Sequence, residues 1–228
     1  MSSSAIIEAL GSRKSVRHFL PTPVPQSDVA RILSAARLAP SGGNLQPGRF
    51  HALTGASLLQ LSQALNDAAT FQNSTSEYSY FPHPMPADLK AKQRAAGYAL
   101  YEALGIDRRD FEGRKQQFDK NYRFFDAPVG LIVTIHKDMG KGCFMDLGMS
   151  LMALFMAAQD LGYATTGIGA IAKYGSVAHS ALGLRDDELV VCGIALGFED
   201  TAAPVNQFRT ERDDLDQFTT FHGFDTDS

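Results

Sequence analysis

The sequence predicts one globular domain that combines helices with a small number of strands. With 228 residues the chain is long enough to bury a core, and a typical domain length of roughly 150 residues favours one large domain over two. The composition, 44% hydrophobic and 20% charged, is ordinary for a globular protein. Helical periodicity before Pro40 predicts helices, and short apolar runs from Val129 onward predict strands.

The first half of the chain is predicted to be helical up to a central strand. Apolar residues at helical spacing predict an amphipathic helix between Pro25 and Pro40. A leucine stripe that starts at Leu58 predicts a second helix, and Leu89–Leu104 predicts a third. The nearly continuous apolar run Val129–Ile135 predicts a central strand that is covered on both faces.

The second half centres on the stretch Phe144–Ala158, which is apolar on every side. We therefore expect a helix that is buried all round, as the hub of the fold or of a dimer. Its methionines recur at helical spacing, which indicates packing rather than a cofactor site. Tyr163–Ile168 and Glu188–Phe198 predict two further strands around a short helix at Ser176–Leu182.

Two segments lack these patterns. Residues 70–86 are rich in aromatic residues, Ser and Pro, which predicts an irregular segment that could serve as a lid. After Asp200 the chain is polar with only scattered phenylalanines, so residues 200–228 cannot form a core of their own. We expect this arm to lie on another surface, with a partner subunit as the candidate.

Charge and composition exclude several classes of protein. A net charge of −4 leaves no basic excess to neutralise phosphates, so no nucleic-acid partner is expected. The longest apolar stretch is shorter than the roughly 20 residues that span a bilayer, and the N-terminus lacks a basic signal region, so we expect a cytoplasmic protein without membrane contact. Cys143 and Cys192 lie in apolar segments and are interpreted as core thiols, and the six histidines lack metal-ligand spacing.

Arg13, Ser15 and Arg17 alternate along the chain before Pro21. In an extended segment the three side chains point to one face. Two guanidinium groups beside a hydroxyl suit a phosphate or another oxyanion, because each guanidinium donates paired hydrogen bonds. Ordinary surface charge is the alternative interpretation.

The loop Pro40–Pro47 contains two glycines and the amide side chains of Asn44 and Gln46. The glycines allow the backbone to approach a ligand, and the amides suit hydrogen bonding to a polar heterocycle. A plain connection between a helix and a strand seldom needs all of these features.

The stretch Gly167–Ala172 matches the dinucleotide fingerprint G-x-G-x-x-A. That fingerprint belongs to the first strand-turn-helix unit of a parallel sheet, whereas this copy comes late in the chain and follows a buried helix. We therefore discount a dinucleotide-binding domain. A loop whose backbone amides face a ligand remains open.

Several short motifs occur in a specific order along the whole chain. They are Arg13-Lys14-Ser15-Val16-Arg17, Ala39–Pro47, Asp126-Ala127-Pro128-Val129 before a strand, and Leu161–Gly167. Together they resemble the FMN-dependent nitroreductase family. The stretches Arg94–Phe125 and Pro204–Arg212 resemble its nitrobenzoate-reductase-like branch.

The resemblance implies an α+β fold, a mainly antiparallel sheet flanked by helices, for a single domain over residues 1–228. It also implies an intertwined homodimer around a central helix, with C-terminal arms exchanged between subunits and FMN at the interface. The apolar helix and the coreless arm agree with this expectation.

The resemblance also assigns cofactor-binding residues. Arg13 and Arg212 resemble the residues that hold the FMN phosphate, with Lys14 and Ser15 along the phosphate and ribityl chain and Arg17 near the pyrimidine edge of the ring. The loop donated by the other subunit corresponds to Pro40, Ser41 and Asn44, with Gln46 behind it. The positions that face the ring are Asn121, Gly167, Ile168 and Gly169.

The implied function is that of an NAD(P)H-dependent flavoenzyme. Electrons pass from NAD(P)H to FMN and then to a small-molecule acceptor, a nitroaromatic or a quinone, which occupies the same slot in a ping-pong mechanism. The flavin carries the hydride, so no protein side chain is assigned as catalytic. Reductive dehalogenation, flavin fragmentation and a non-catalytic flavin-binding module remain alternatives.

Overall fold

The computed structural model of the chain describes residues 4–74 and 76–224. Its centre is a four-stranded sheet with the order β1-β2-β4-β3, in which all neighbouring strands are antiparallel. This sheet confirms the predicted α+β class and is incompatible with the parallel unit that a dinucleotide fingerprint requires. The strands are β1 (Arg49–Thr54), β2 (Val129–His136), β3 (Ala164–Ile168) and β4 (Glu188–Gly197).

Helices cover both faces of the sheet. Because side chains alternate along a strand, Leu131 and Val133 of β2 join one core with the helices at 26–36 and 141–160, while Ile132 joins a second core with the helix at 55–71. Both β2 and β4 are therefore buried, which confirms the prediction of a central strand for β2. The α-helices of the described residues are α1 (Ala5–Ser12), α2 (Gln26–Ala36), α3 (Gly55–Phe71), α4 (Ala87–Ala103), α5 (Phe111–Asp119), α6 (Lys141–Asp160), α7 (Gly175–Leu182) and α8 (Leu215–Phe218).

A strained turn leads into β2. Phe124 and Phe125 have positive φ angles of 52° and 53°, which residues other than glycine rarely adopt. The fully buried Phe124 ring lies over two glycines on adjacent strands: a Cβ atom at Gly130 would come within 2.9 Å of it, and one at Gly193 within 3.1 Å. These glycines leave the space that the ring fills, and burial of the ring offsets the strain of the turn.

The central helix α6 differs from the prediction. Leu147 and Leu154 are buried against the sheet, but Met145 is 68% exposed and Met149 is 39% exposed, so within one chain the helix is not buried all round. By length and composition alone α6 could cross a membrane, with a mean hydropathy of 1.3 over an 18-residue window. A core helix of a soluble protein meets the same criterion, and α6 packs on α2 and the sheet.

Most predicted elements lie within a few residues of their expected positions, and Gly183 ends α7 in a left-handed conformation. The strands and α-helices that the sequence patterns did not predict are α1, β1, α5 and the short α8. The helix α5 is polar on most sides, and β1 is a short edge strand of mixed polarity, so neither has the periodic apolar pattern on which the predictions depend.

The C-terminal arm does not leave its own subunit at Asp200. The Arg209 guanidinium donates to the Gly11 carbonyl at 2.7 Å, and Lys92 of α4 forms an ion pair with Asp213. Up to Asp213 the arm therefore has contacts within its own chain, and the expectation that residues 200–228 lie on a partner stays a prediction. Residues 225–228 lie outside the described residues.

The predicted lid segment 70–86 is irregular beyond the end of α3 at Phe71. Two contacts attach it to β4: the Tyr78 hydroxyl donates to the Val191 carbonyl at 2.6 Å, and the Val190 N–H donates to the Glu77 carboxylate at 3.3 Å. Burial raises the pKa of the Tyr78 hydroxyl, so this donor stays protonated. Thr75 lies outside the described residues.

Candidate functional site

A cavity of about 350 Å³ lies between the segment after α1 and the C-terminal arm. Ser15 lines it together with residues of both segments and Met152 of α6. No Asp or Glu of the described chain lines it, so we call it the cationic cavity. Its basic lining residues are Arg13, Lys14, Arg17, Arg209 and Arg212.

Among the described residues that line the cationic cavity, Arg13 is the one cation whose charged group has no protein partner. Its pKa is lowered by burial and, to a smaller extent, by the neighbouring charges of Arg212 and Arg209. Within the described residues its guanidinium has no ion pair or hydrogen bond. Bringing three guanidinium groups together is unfavourable unless an anion binds among them, so the cavity is suited to a phosphate group.

The other two basic residues of this segment have protein partners. The Lys14 ammonium contacts the Glu199 carboxylate and the Asn206 carbonyl, each at 2.6 Å, so its charge is already balanced. Arg17 donates to the Ser15 carbonyl at 3.2 Å, and burial lowers the pKa of its guanidinium. Arg17 thus keeps a weakly hydrated charge at the cavity wall.

The Asn206 side chain holds the cavity's two segments together. Its oxygen accepts from the Arg17 N–H at 2.9 Å, while its amide donates to the His18 carbonyl at 2.8 Å and to the Asp200 carbonyl at 2.9 Å. Asn206 is only 1% exposed. Buried polar groups need such partners. The Asn206 side chain therefore helps to fix the course of the backbone that carries Arg13, Ser15 and Arg17.

Arg209 provides a second connection. Its guanidinium donates to the carbonyls of Gly11, Ser12 and Arg13, the free carbonyls at the C-terminal end of α1. Arg212 is exposed, and its hydrogen bonds within the described residues are local: it donates to the carbonyls of Thr210 and Glu211 and to the Thr210 hydroxyl.

Strand β3 links the cationic cavity to the segment Gly167–Gly169. Ser15 pairs with Thr165 in a parallel bridge, and Val16 N–H donates to the Thr165 carbonyl at 3.1 Å. Along an extended strand Thr165 and Gly169 are about 13 Å apart. Gly167 is exposed, whereas the Ile168 side chain is buried in the core, so only the backbone of Ile168 can face a ligand.

A second cavity, of about 620 Å³, begins where β3 ends. Gly169 and Asn121 line it, and Tyr80 of the predicted lid covers Gly169 so closely that a Cβ atom there would lie 3.0 Å from the ring. We call it the aromatic cavity. Its lining rings are Tyr78, Tyr80, Phe81 and Phe118.

The loop 40–47 lies outside both cavities and is anchored on α6. Gly42 N–H donates to the Asp146 carboxylate at 3.0 Å, and the Arg37 guanidinium binds the carbonyls of residues 46–48. Asn44 and Gln46 have positive φ angles of 54° and 49° and are exposed. Strained, exposed residues of this kind concentrate at functional sites.

The loop's other predicted site residues have different surroundings. The Ser41 hydroxyl accepts from the Gln46 N–H at 2.9 Å and so stabilises the loop, while Pro40 is exposed. No residue from 40 to 47 lines either cavity of its own chain, so their assignment to a site shared between subunits stays a prediction.

Comparison with known proteins decides the family. The nitroreductase family model matches residues 10–198. The chain belongs to the nitroreductase family. It is 37% identical to a 4-nitrobenzoate reductase of Pseudomonas putida, over 95% of either chain, and 35% identical to a chloronitrobenzene nitroreductase of Comamonas testosteroni, over 96% of this chain and 97% of that one.

Solved structures of this nitroreductase family are similar over the same length. The chain superposes on the FMN and NADPH-dependent nitroreductase NfnB of Sphigopyxis sp. strain HMH with a TM-score of 0.94 and 35% identity, covering 97% of this chain and 100% of that one. The fold expected from the sequence resemblance is thereby confirmed.

The structure divides the predicted site residues of this nitroreductase into separate groups. Arg13, Lys14, Ser15, Arg17 and Arg212 meet in the cationic cavity, and Asn121 meets Gly169 in the aromatic cavity. Sequence patterns did not reveal Asn206 and Arg209 as positioning residues. Both lie in the segment that carried the family resemblance, but their role depends on hydrogen bonds between distant parts of the chain.

We expect Asn206→Ala to lower the free energy of unfolding by about 3 kcal/mol, because it leaves several buried backbone groups unpaired. Asn73→Ala makes the same chemical change at an exposed position and should alter stability by less than about 0.5 kcal/mol. Urea unfolding of both variants compares them. Equal stabilities would contradict the role of Asn206 as the connection between the two segments.

Proposed function

We propose that this protein binds FMN and passes electrons from NAD(P)H to nitroaromatic and quinone-type acceptors. The observation that carries the proposal is the unpaired Arg13 guanidinium in the cationic cavity, connected by β3 to the Gly167–Gly169 segment beside the aromatic cavity. The full-length relatives named as nitroreductases support the same activity.

The residues present fit FMN. The cationic cavity offers uncompensated guanidinium groups for a terminal phosphate, and the distance along β3 suits a ribityl chain between phosphate and ring. When bound, FMN supplies hydride and electron transfer at its ring. Arg13 and Arg212 would hold the phosphate, and Ser15 would donate a hydrogen bond to it.

The remaining residues position the ring and its surroundings. Arg17 would hold positive charge beside the ring, where two-electron reduction adds negative charge. The backbone of Gly167 and Gly169 would lie against the ring, and the aromatic cavity with Asn121 would receive the acceptor and exclude water. The named relatives favour nitro reduction over dehalogenation and flavin fragmentation.

The activity is tested with the purified protein. We expect it to be yellow, to release FMN and not FAD on heating, and to lose its flavin absorbance when mixed anaerobically with NADPH. Adding 4-nitrobenzoate should then restore the absorbance. Because nicotinamide and acceptor share one slot, double-reciprocal plots should be parallel lines.

Other outcomes distinguish the alternatives. Flavin that stays oxidised in NADPH and in NADH would identify a non-catalytic binding module. Release of FAD, or no uptake of added FMN, would contradict the assignment of the cationic cavity.

Substitution of Arg13 should weaken FMN binding, whereas substitution of Arg17 should lower the flavin midpoint potential. Arg13→Ala removes a charge-assisted hydrogen bond to the phosphate and should weaken FMN binding by roughly ten- to a hundredfold. Arg17→Ala should lower the midpoint potential of bound FMN by tens of millivolts, since about 1.4 kcal/mol corresponds to roughly 30 mV for a two-electron couple.

Spectroelectrochemical titration at full flavin occupancy measures the potentials of both variants. Arg31→Ala is the matched control, because Arg31 pairs with Asp28 on the surface helix α2 and should change neither quantity. An unchanged potential in Arg17→Ala would remove this residue from the proposed role.

We also propose a homodimer in which each site contains Arg13 of one chain and Asn44 of the other. The support is the exposed apolar surface of a single chain. Large apolar side chains that a single chain leaves exposed mark a candidate interface. The exposed side chains on α1, the loop and α6 are Ile6, Ile7, Leu10, Leu38, Leu45, Met145 and Met149.

Mixed dimers test this arrangement. Arg13→Ala and Asn44→Ala homodimers should each bind FMN weakly. An isolated heterodimer of the two variants should recover roughly half of the wild-type sites, because two-fold symmetry places both substitutions in one site and leaves the other intact. If the heterodimer stays as weak as its parents, each site belongs to a single chain.

A further inference from the structure

The aromatic cavity contains one permanent charge. Lys173 is the only Lys or Arg among the described residues that line it, and no Asp or Glu lines it. The Lys173 ammonium lies 5.4 Å from the centre of the Phe118 ring. This cation–π contact holds the ammonium at the wall of the cavity. Aromatic rings and uncharged polar groups form most of the remaining wall.

The neighbouring carboxylates do not balance Lys173. The Glu77 carboxylate accepts from the Val190 N–H, and Asp119 pairs with Lys115 at 2.6 Å. Within the part of the chain that the structure describes, Lys173 therefore has no anionic partner. His83 is the other titratable basic group on the lining, and its side chain is exposed.

We propose that Lys173 is a specificity-determining residue that favours aromatic acceptors carrying a negatively charged substituent, such as a carboxylate or a sulfonate. The inference rests on the proposed function and refines its substrate class. The aromatic rings of Tyr80 and Phe118 would pack against the acceptor ring, while the Lys173 ammonium would pair with the substituent.

The anion that Lys173 would pair with belongs to the acceptor and not to NADPH. A lone ammonium on a flexible stem suits a single carboxylate, whereas a nucleotide phosphate with about two negative charges is typically held by several donors, as the cationic cavity provides. Because Lys173 is exposed, its effect should be modest, about fivefold in specificity, and should decrease as salt is added.

The test separates the two half-reactions of the FMN-loaded enzyme. Photoreduced enzyme is mixed anaerobically with 4-nitrobenzoate or with its neutral analogue 4-nitrobenzamide, and the rate of flavin reoxidation is measured against acceptor concentration. The variants are Lys173→Met, which keeps the length and apolar contact of the side chain, and Lys173→Arg, which keeps its charge.

We expect wild type and Lys173→Arg to prefer 4-nitrobenzoate, and Lys173→Met to lose about fivefold of its second-order rate constant for the anion while the rate constant for the amide stays within about twofold. An equal loss for both acceptors, or no loss for either, would overturn the inference. So would a change confined to the reduction of the enzyme by NADPH and not by NADH, which would assign Lys173 to the nucleotide phosphate.

Failure of this inference is distinguishable from failure of the proposed function. If wild type and Lys173→Met reduce both acceptors with the same ratio of rate constants, the oxidoreductase function stands and charge selection by Lys173 is wrong. If the photoreduced enzyme reacts with neither acceptor, the proposed function itself is wrong.

Discussion

The candidate site depends on the hydrogen bonds that the buried Asn206 side chain makes. Its hydrogen bonds to Arg17, His18 and Asp200 join an N-terminal segment to a C-terminal one across most of the chain. Backbone bridges to Thr165 and Glu199 hold the N-terminal segment at the sheet, and Arg209 gives a second connection to the C-terminal arm. Asn206 adds the buried connection between the two segments that form the walls of the cationic cavity.

The sheet supplies the rigid frame around this connection. Its two central strands are buried on both faces, and glycines on them accommodate the Phe124 ring at the end of a strained turn. Strain is tolerated there because the surrounding core determines the geometry of the turn. Strand β3, on the edge of the same sheet, connects the segment that lines the cationic cavity to Gly169, which lines the aromatic cavity.

Charge distinguishes the two cavities. Among the described residues, several guanidinium groups and no carboxylate line the cationic cavity, whereas a single ammonium lies among the rings of the aromatic cavity. The first arrangement suits tight binding of a phosphate, and the second suits weaker selection among small acceptors that bind and leave. A resident cofactor and an exchangeable substrate need this difference in binding strength.

The sequence by itself determined the fold class, the central strand β2, the position of the long helix and the order of the motifs that predict the phosphate end of the site. These are set by local periodicity and by motifs whose order is specific. Tertiary structure alone decided that α6 keeps an exposed face, that the arm first packs on its own chain, and that Asn206 and Lys173 hold their positions. Each of these depends on contacts between segments far apart in the chain, which hydrophobic patterning within one segment does not record.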